Sequence, residues 1–407
     1  MQKADKLVLF TNGFPCGENE PFIINEFQIL RKKFSKNLFV PLKFGEVTQI
    51  GVDASTEVVD INKFKSQLTE NQILFRNFLT ILKINFLEIL SSHKRCVFIR
   101  HIREYNSYLL QCIVKSEAIA EMAKQKNVND ALFYSFWMSE FALALAVLKD
   151  RKIIKRFIFR ANGFDLYEDQ AKHNYLPFRS FIYTKADKMF AVSKKGSEFM
   201  KSFKINSNHI TFSYFGTKDL GISVFDPGSI FTILTSSDLR KIKRVHLMID
   251  ILKYIPFPVR WIHHGDKGDA ENIFYDKLKE KPGHVEFEIF PWKAHHDEFL
   301  SFVKNNQINL YILLSETEGL PVSLIEVSSL GIPILSTNVG GVSEIVNKDN
   351  GILIPKDFDP RVVAQQISEF AKSRMNTQTF RTSVRRTWEE RFTMEKNYEE
   401  FYNRIIS

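Results

Sequence analysis

The chain has 407 residues, of which 44% are hydrophobic and 25% charged, and its formal net charge is +9. This composition is that of a soluble globular protein long enough for two ordinary domains. The three cysteines, Cys16, Cys96 and Cys112, are too few and too scattered for a disulfide framework or a zinc site, which indicates a reducing compartment. The first residues enter a strand without a signal-peptide pattern, so we expect a cytoplasmic protein.

Strands and helices alternate through the first half of the chain. A predicted strand over residues 6–12 leads into a loop with Gly13 and Gly17, and then into a helix over residues 22–33. The next predicted strands cover residues 37–42, 131–137, 156–160 and 189–192. Ser193 is placed to cap a helix over residues 194–203.

Residues 131–148 are nearly uniformly apolar, and their number approaches the length of a bilayer span. Ser135, Ser139 and Glu140 interrupt this segment, and its aromatic first part differs from its second part of alanine and leucine. We therefore predict a buried strand followed by a helix over residues 140–149 that packs on a sheet.

Part of the excess positive charge lies in residues 63–103. Large apolar residues recur there at helical spacing, at Phe75, Phe78, Leu79, Leu82, Phe86 and Leu90, with Arg76, Lys83, Lys94 and Arg95 around them. The pattern predicts a helix with a core-facing apolar side and a solvated basic side. The alternative is an amphipathic surface that docks on anionic lipid. No recognition motif for nucleic acid accompanies the charge.

Residues 216–229 are rich in turn residues and lack periodicity, which predicts a domain boundary. Beyond it, strands are predicted over residues 231–235, 259–263, 286–289 and 308–314, and helices over residues 245–252 and 297–304. Strands separated by helices of this length form parallel sheets. We therefore predict an α/β protein of two doubly wound, Rossmann-like domains facing across a cleft, with the ligand at the carboxyl ends of the strands.

The most informative segment covers residues 313–346. Glu318 lies in the loop after a strand, and Pro321 is predicted to begin a helix that ends before Gly331. The start of this helix offers backbone N–H groups to a phosphate, and the Glu326 carboxylate can accept hydrogen bonds from a ribose. This combination fits a ligand that is phosphorylated and polyhydroxylated, such as a sugar nucleotide. The alternative is an ordinary helix with acidic residues near its N-terminus.

The same segment, EGLPVSLIEVSSLGIPILSTNVGGVSEIV, closely resembles the E-x7-E signature of the retaining glycosyltransferases of family 4, with Val327 in place of the usual alanine. Weaker resemblance covers FPCGENEPFIINEFQIL, RANGFDLYED and TWEERFTMEKNYEEFY. The resemblance implies the GT-B fold. Its acceptor-binding domain would cover residues 1–217, completed by a C-terminal helix over residues 388–407, and its donor-binding domain would cover residues 218–387.

The resemblance also implies a reaction. A hexosyl-type sugar would pass from a nucleotide sugar to a hydroxyl of a saccharide or lipid-linked saccharide, with retention of configuration, in polysaccharide or glycoconjugate biosynthesis. No metal or cofactor would take part. In agreement, the sequence has no His/Cys cluster of metal-binding spacing, and the pairs His263–His264 and His295–His296 fit strand-end and loop positions better.

Residues 236–245 offer the positive charge that a donor diphosphate needs. Lys243 matches the family's phosphate-binding lysine by position, whereas Asp238 stands where the family often has arginine. Arg240 and Arg244 are the alternatives for a second cation, and a solvated basic turn is the non-functional alternative.

These patterns give a set of candidate site residues. The catalytic candidates are Glu318, which would orient the transferred sugar, and Lys243, which would stabilise the diphosphate. The donor-binding candidates are Glu326, Gly319, Leu320, Pro321, Arg244, Arg240 and Gly265, of which Gly265 begins a Gly-Asp turn that the family often has beside the nucleotide.

The acceptor candidates lie in the first half of the chain. Asn162 stands where many relatives have histidine; it cannot act as a general base, but it can bind a hydroxyl. Asp165 belongs to the same segment, although it and Arg160 are equally compatible with a structural turn. Glu20 and Gly17 follow the first strand, where Glu20 is either an acceptor ligand or an ordinary acid at a helix start.

Other classes of function are compatible with two doubly wound domains. A nicotinamide-dependent oxidoreductase is disfavoured because residues 12–17 lack G-x-G-x-x-G. A non-catalytic nucleotide-sugar-binding protein and a related-fold sugar-nucleotide epimerase are the alternatives that stay open. The expected partners are a nucleotide sugar, a saccharide or lipid-linked acceptor and an anionic surface on the inner face of the membrane, and not nucleic acid.

Overall fold

A computed structural model describes residues 4–17, 20–48, 55–64, 68–291 and 296–407 of the chain. The chain divides into two compact units. Unit 1 comprises Met1–Tyr214 and Tyr398–Ser407, and unit 2 comprises Phe215–Asn397.

Unit 1 is built on a seven-stranded sheet in the order β3-β2-β1-β4-β5-β6-β7, and every strand pair is parallel. Its strands are β1 (Ala4–Thr11), β2 (Phe34–Pro41), β3 (Thr56–Val58), β4 (Leu132–Ser135), β5 (Arg156–Ala161), β6 (Lys188–Ala191) and β7 (Ile210–Phe212). Its helices are α1 (Ile23–Leu30), α2 (Glu70–Arg76), α3 (Phe78–Ser91), α4 (Arg95–Arg100), α5 (Ile102–Gln125), α6 (Glu140–Asp150), α7 (Arg179–Lys185) and α8 (Lys194–Ser202).

The apolar segment at residues 131–148 forms the centre of this unit. It folds as strand β4 followed by helix α6, as predicted, and the residues from Phe141 to Leu148 are all buried. The strand is shorter than the predicted 131–137, because the chain leaves the sheet after Ser135. Within the described ranges, no helix is long and apolar enough to cross a membrane.

The prediction of a core-facing apolar side in residues 63–103 was wrong. The chain forms α2 and α3, which meet at Asn77, and the predicted core residues are instead exposed: Phe75, Phe78, Leu79, Leu82, Phe86 and Leu90. Ile73 and Ile84, on the opposite side, are the residues buried in the core. Because these helices are apolar on more than one side, spacing alone did not identify the buried face.

Unit 2 carries a six-stranded sheet in the order β10-β9-β8-β11-β12-β13, again with parallel pairs throughout. Its strands are β8 (Phe231–Ser236), β9 (Val259–His264), β10 (Val285–Phe290), β11 (Leu310–Leu313), β12 (Ile334–Thr337) and β13 (Gly351–Ile354). Its helices are α9 (Leu247–Leu252), α10 (Glu271–Leu278), α11 (His296–Asn305), α12 (Val322–Ser329), α13 (Pro360–Lys372) and α14 (Gln378–Arg391). Helix α15 (Met394–Ile406) starts in unit 2 and ends in unit 1.

The order of strands determines where each unit can bind a ligand. The sheet of unit 2 grows outward on one side from β8 and on the other from β11, so the switch point lies between these two strands. In unit 1 the corresponding point lies between β1 and β4. Ligands of doubly wound sheets bind at the carboxyl ends of the strands at such a point. The predicted α/β class with two Rossmann-like sheets is confirmed.

Candidate functional site

Two predicted catalytic residues meet at the switch point of unit 2. Lys243 closes a short helical turn (Lys241–Lys243) after β8, and Glu318 lies in the loop after β11. Lys243 Nζ donates to Glu318 Oε1 at 2.6 Å, and both side chains are largely buried, with 17% and 10% exposure. The two loops are also joined by the backbone, since Glu316 N–H donates to the Ile242 carbonyl at 2.8 Å. The site therefore has a fixed positive and a fixed negative charge in contact.

Helix α12 begins beside this pair. Pro321 is extended (ψ 115°) and precedes the helix, so the first helical residue is Val322, one position later than predicted. Among the residues that the structure describes, no side chain caps this end. The first backbone N–H groups of a helix have no carbonyl partner within it, and they carry partial positive charge. Leu320 and Pro321 are buried at the same place. The helix start thus adds a second electropositive feature close to Lys243 and Glu318.

Glu326, on the buried side of α12, has a partner that the sequence did not predict. His296 Nε2 lies 2.7 Å from Glu326 Oε1, and His296 begins helix α11. Burial lowers the pKa of His296, but the Glu326 carboxylate outweighs burial, and the pKa lies above its ordinary value of 6.5. The only sequence signal was a histidine followed by acids at a helix start. The preceding His295 lies outside the described residues.

Glycines fix the backbone around the site. Gly340 has φ +50°, and a Cβ there would lie 1.7 Å from the carbonyl oxygen of Glu318. The neighbouring Gly341 N–H donates to the Gly319 carbonyl at 2.9 Å. Gly265 has φ +121°, and a Cβ would lie 2.1 Å from the Ser237 carbonyl oxygen. Only glycine permits these approaches, so the turn at Gly340 sets the position of Glu318.

The two alternative cations differ in what they contact. Arg244 Nε donates to the Leu314 carbonyl at 2.8 Å, and its Nη2 donates to the carbonyl of Lys356 at 2.9 Å. Arg240 is half exposed, and its Nε lies 3.1 Å from the Asp238 carboxylate. Arg244 therefore joins loops at the ends of strands, while Arg240 lies at the surface of the same turn.

The histidines considered for a metal are part of the core of unit 2. His263 Nδ1 lies 2.8 Å from Thr235 Oγ1, and His264 Nδ1 lies 2.8 Å from Ser236 Oγ. Burial lowers the pKa of each to about 3, so both rings are neutral. An Asp-x-Asp spacing is present at Asp357 and Asp359, where Asp359 accepts the Arg361 N–H and caps α13.

One group of metal-type ligands occurs among the described residues. In unit 1, ligand atoms of His101, Glu104 and His173 lie within 4.8 Å of one another. Lys172 Nζ donates a hydrogen bond to the Glu104 carboxylate at 2.7 Å. The imidazole rings of His101 and His173 stack with their centroids 3.7 Å apart. An imidazole nitrogen binds a metal ion in the plane of its ring. Because the two rings lie in nearly parallel planes, their nitrogens are poorly arranged to bind the same ion. Metal independence of the chain stays a prediction.

At the switch point of unit 1, Glu20 joins the loops that follow β1 and β4. Its carboxylate accepts the backbone N–H groups of Gly13 and Phe14 at 2.6 and 2.8 Å, and also the indole N–H of Trp137. Gly17 has φ +64°, and its N–H donates to the Glu46 carbonyl at 3.0 Å. Glu20 therefore shapes this loop, and its role as an acceptor ligand stays a prediction.

Asn162 and Asp165 lie after β5 and are both buried. Asp165 accepts the N–H groups of Asn162 and Met138, both at 2.8 Å, and burial raises its pKa to about 6. Asn162 Oδ1 is buried and has no hydrogen-bond partner within the described ranges. Arg160 instead pairs with Glu26 in the core, with Nη2 and Oε2 2.9 Å apart. Asn162 is thus the member of this segment with hydrogen-bonding capacity to spare.

Part of the chain matches the model of a known family. Residues 226–387 match the family model described as glycosyl transferases group 1. This segment is less than half of the chain. It includes the switch-point loops of unit 2 with Lys243, Glu318 and Glu326, so the candidate site lies inside the matched residues.

Similar sequences come from enterobacteria. The chain is 24% identical over 292 residues to a protein of Salmonella typhimurium named as colanic acid biosynthesis glycosyltransferase WcaL, an alignment that covers 67% of this chain and 68% of that protein. The WcaL protein of Escherichia coli is 23% identical over 249 residues, with 56% and 58% covered. The Vi polysaccharide biosynthesis protein VipC/TviE of Salmonella typhi is 32% identical over 106 residues, which is 25% of this chain and 18% of that protein.

Solved structures agree over the whole chain. Anabaena Alr3699/HepE, solved in complex with UDP-glucose, superposes with a TM-score of 0.68 at 14% identity and with 98% of both chains covered. Sucrose-phosphate synthase (tll1590) from Thermosynechococcus elongatus gives a TM-score of 0.73 at 11% identity, again over 98% of both chains. At these identities the likeness establishes the fold, which is the GT-B fold.

Proposed function

We propose that the protein is a retaining, metal-independent glycosyltransferase of family 4, and that it moves a hexosyl group from a nucleotide sugar to a hydroxyl of a saccharide or lipid-linked saccharide. The observation that carries this proposal is the contact of Lys243 with Glu318 at the switch point of the group 1 domain. The relatives named for colanic acid and Vi polysaccharide support a role in polysaccharide biosynthesis.

In the proposed donor complex, the diphosphate lies between Lys243 and the start of helix α12. Lysine acts as a point charge toward phosphate, and the helix N–H groups add directed donors. Lys243 would turn from Glu318 toward the phosphate, which leaves the Glu318 carboxylate to accept hydrogen bonds from the sugar hydroxyls. The pair thus exchanges one internal contact for two contacts with the donor.

Glu326 would bind the ribose of the donor. It lies more than one turn into α12, behind the helix start that would receive the phosphates. His296 holds the same carboxylate at 2.7 Å, so it would fix the orientation of Glu326 toward the ribose hydroxyls. A uridine nucleotide is the first donor to test, because Alr3699/HepE is solved with UDP and with UDP-glucose.

The proposed chemical step takes place between the donor and the acceptor. The bond between the anomeric carbon and the phosphate oxygen breaks as the acceptor oxygen forms its bond to the same face of that carbon. The acceptor proton passes to the departing phosphate oxygen. Lys243 and the helix start stabilise the negative charge that accumulates on the nucleoside diphosphate, which is the largest contribution such a site can make.

Residues of unit 1 would contact the acceptor. Asn162 Oδ1 is a buried acceptor atom without a partner among the described residues, and it can accept a hydrogen bond from a hydroxyl. Nearby, Phe164 is 45% exposed, and its ring packs against Trp137 with centroids 4.9 Å apart. Aromatic faces suit the apolar face of a sugar ring. These residues support a saccharide as the acceptor.

The test is a panel of UDP-, GDP- and ADP-sugars measured first by thermal shift. A donor that binds only the folded protein raises its melting temperature. The donor found in this way is then incubated with the protein and saccharide acceptors, and proton NMR follows the anomeric configuration. Release of nucleoside diphosphate with a product of retained configuration is expected. Conversion of the donor alone into an epimer, or binding without any transfer or hydrolysis, would overturn the proposal.

A further inference from the structure

Helices α2 and α3 present a continuous apolar surface to solvent. We call it the apolar stripe, and its side chains are exposed by 85%, 55%, 79%, 50%, 62% and 64% at Phe75, Phe78, Leu79, Leu82, Phe86 and Leu90. Apart from the adjacent Phe78 and Leu79, successive members are three or four residues apart, so they lie along one side of the helices. Single exposed apolar residues are ordinary, but a contiguous group of this size marks an interaction site.

The stripe lies in a basic part of the chain. Residues 63–103 contain eight Lys or Arg against two acidic residues. One of the two acids, Glu88, is buried and accepts a hydrogen bond from Tyr175. Arg76, Lys83 and Lys94 pair with carboxylates of neighbouring elements, at Glu117, Asp150 and Glu168. Arg95, Arg100 and Arg103 are exposed, and in the described ranges no carboxylate pairs with them, so they carry the excess of positive charge. The surroundings of the stripe are therefore positively charged.

We propose that the apolar stripe docks on an anionic membrane surface. Helices α2 and α3 would lie along the headgroup region with Phe and Leu side chains among the acyl chains, while the arginines of α4 and its surroundings contact anionic lipid headgroups. Apolar side chains on one side of a helix with cations beside them are the pattern of interfacial helices. Clusters of basic residues next to such helices are attracted to the anionic cytoplasmic leaflet.

The charges favour lipid over a second copy of this chain. A two-fold contact through the stripe would bring the same cations of both copies together, and like charges across an interface are unfavourable. The stripe is also long and narrow, since the sixteen residues from Phe75 to Leu90 span about 24 Å of helix. A membrane surface can accept such a line of side chains without a matching groove. This inference rests on unit 1 alone and does not depend on the proposed function.

The experiment is co-sedimentation of the full chain with vesicles of phosphatidylcholine alone or mixed equally with phosphatidylglycerol. Binding to the anionic vesicles is expected at low salt, with much weaker binding to neutral ones and at high salt. The variant Phe75→Ser/Leu79→Ser should bind at least about tenfold more weakly, since it removes two inserted side chains. Its matched control, Ile273→Ser/Val362→Ser, changes exposed apolar residues of unit 2 and should bind like wild type.

A second pair of variants tests the charges. Arg95→Glu/Arg100→Glu should reduce binding to anionic vesicles, whereas Lys348→Glu/Lys372→Glu, with the same change in net charge, should not. Thermal unfolding checks that every variant is folded. Wild-type protein that stays in the supernatant with anionic vesicles at low salt would overturn the proposal. So would stripe variants that bind as well as wild type, or a stripe-dependent dimer in light scattering without lipid.

Discussion

At the scale of single residues, the site depends on charges held in partly buried contacts. The Lys243–Glu318 pair is 2.6 Å apart and mostly shielded from solvent. Removing one member of such a pair leaves the other charge without a partner in a poorly solvated place, and this costs more than the pair itself contributes. The effect of each substitution therefore depends on which charge remains.

Lys243→Ala should lower kcat by more than about tenfold, because it removes the cation that stabilises the leaving diphosphate. It also leaves the Glu318 carboxylate beside the phosphates, which weakens donor binding. Steady-state kinetics with the donor identified by thermal shift measures both effects. Lys241→Ala is the control, since this exposed lysine lies two residues earlier in the same turn. Equal kcat for the two variants would contradict the role of Lys243.

His296 gives unit 2 a pH dependence that can be tested. Its folded-state pKa lies above the ordinary 6.5, so the ion pair with Glu326 stabilises the protein fully below pH 6.5 and is lost as the pH rises through the raised pKa. His296→Gln should therefore destabilise the protein more at pH 6 than at pH 8. For a unit of this size, a difference of about 2–4 °C in melting temperature corresponds to about 1 kcal/mol of unfolding free energy. A pH-independent difference would contradict the charged pair.

Gly340→Ala should destabilise the protein by at least about 2 kcal/mol. Alanine is strained at φ +50°, and its Cβ would lie 1.7 Å from the Glu318 carbonyl oxygen, so the backbone would have to move. The displaced Glu318 should also weaken donor binding. Gly283→Ala is the control, since a Cβ there meets nothing within 4 Å. Denaturant unfolding and donor titration compare the two variants. If Gly340→Ala were as stable as Gly283→Ala, the close approach would be incorrect.

At the scale of elements, the orientation of α3 can be tested by two substitutions on opposite sides of the helix. Ile84→Ala should cost about 2–4 kcal/mol of unfolding free energy, because Ile84 is fully buried. Leu82→Ala should change it by no more than about 0.5 kcal/mol, because Leu82 is half exposed. Chemical denaturation measures both. The reverse order of effects would restore the core-facing orientation that the spacing alone predicts.

The elements of the site could be predicted because local chemistry determines them. The alternation of strands and helices, the end of α12 before Gly331 and the loops that carry Lys243 and Glu318 all follow from sequence patterns. The exposed side of α3 could not be predicted in this way, because FLTILKINFLEIL is apolar almost all round. Its buried side depends on packing against the rest of unit 1. The His296–Glu326 contact joins residues thirty positions apart, and no local pattern encodes it.

The different contacts of Arg240 and Arg244 were also beyond local patterns, and which of them supplies a second cation stays a prediction. Arg244 donates to the carbonyl groups of Leu314 and Lys356, which lie at two other strand ends. Such contacts are determined by the order of strands in the sheet. A sequence read without that order leaves the alternatives equal.

At the scale of the whole molecule, the donor site and the apolar stripe belong to different units, and hydrogen exchange of the full chain can observe both at once. A nucleoside diphosphate at a hundredfold excess over its Kd stabilises the state that binds it by about 2.7 kcal/mol. Exchange should therefore slow in residues 236–246 and 314–326, whose amides surround Lys243 and the start of α12. Anionic vesicles should instead slow exchange in residues 70–103. Local stability differs across a structure, so these responses are separable.

The hydrogen-exchange experiment tests the donor site and the membrane surface separately. Protection by nucleotide without protection by vesicles would retain the donor site and contradict the membrane surface, and the opposite result would do the reverse. Phe75→Ser/Leu79→Ser should abolish only the response to vesicles, and Lys243→Ala should abolish only the response to nucleotide. If either variant removed both responses while its melting temperature matched wild type, the assignment of each function to its own unit would be incorrect.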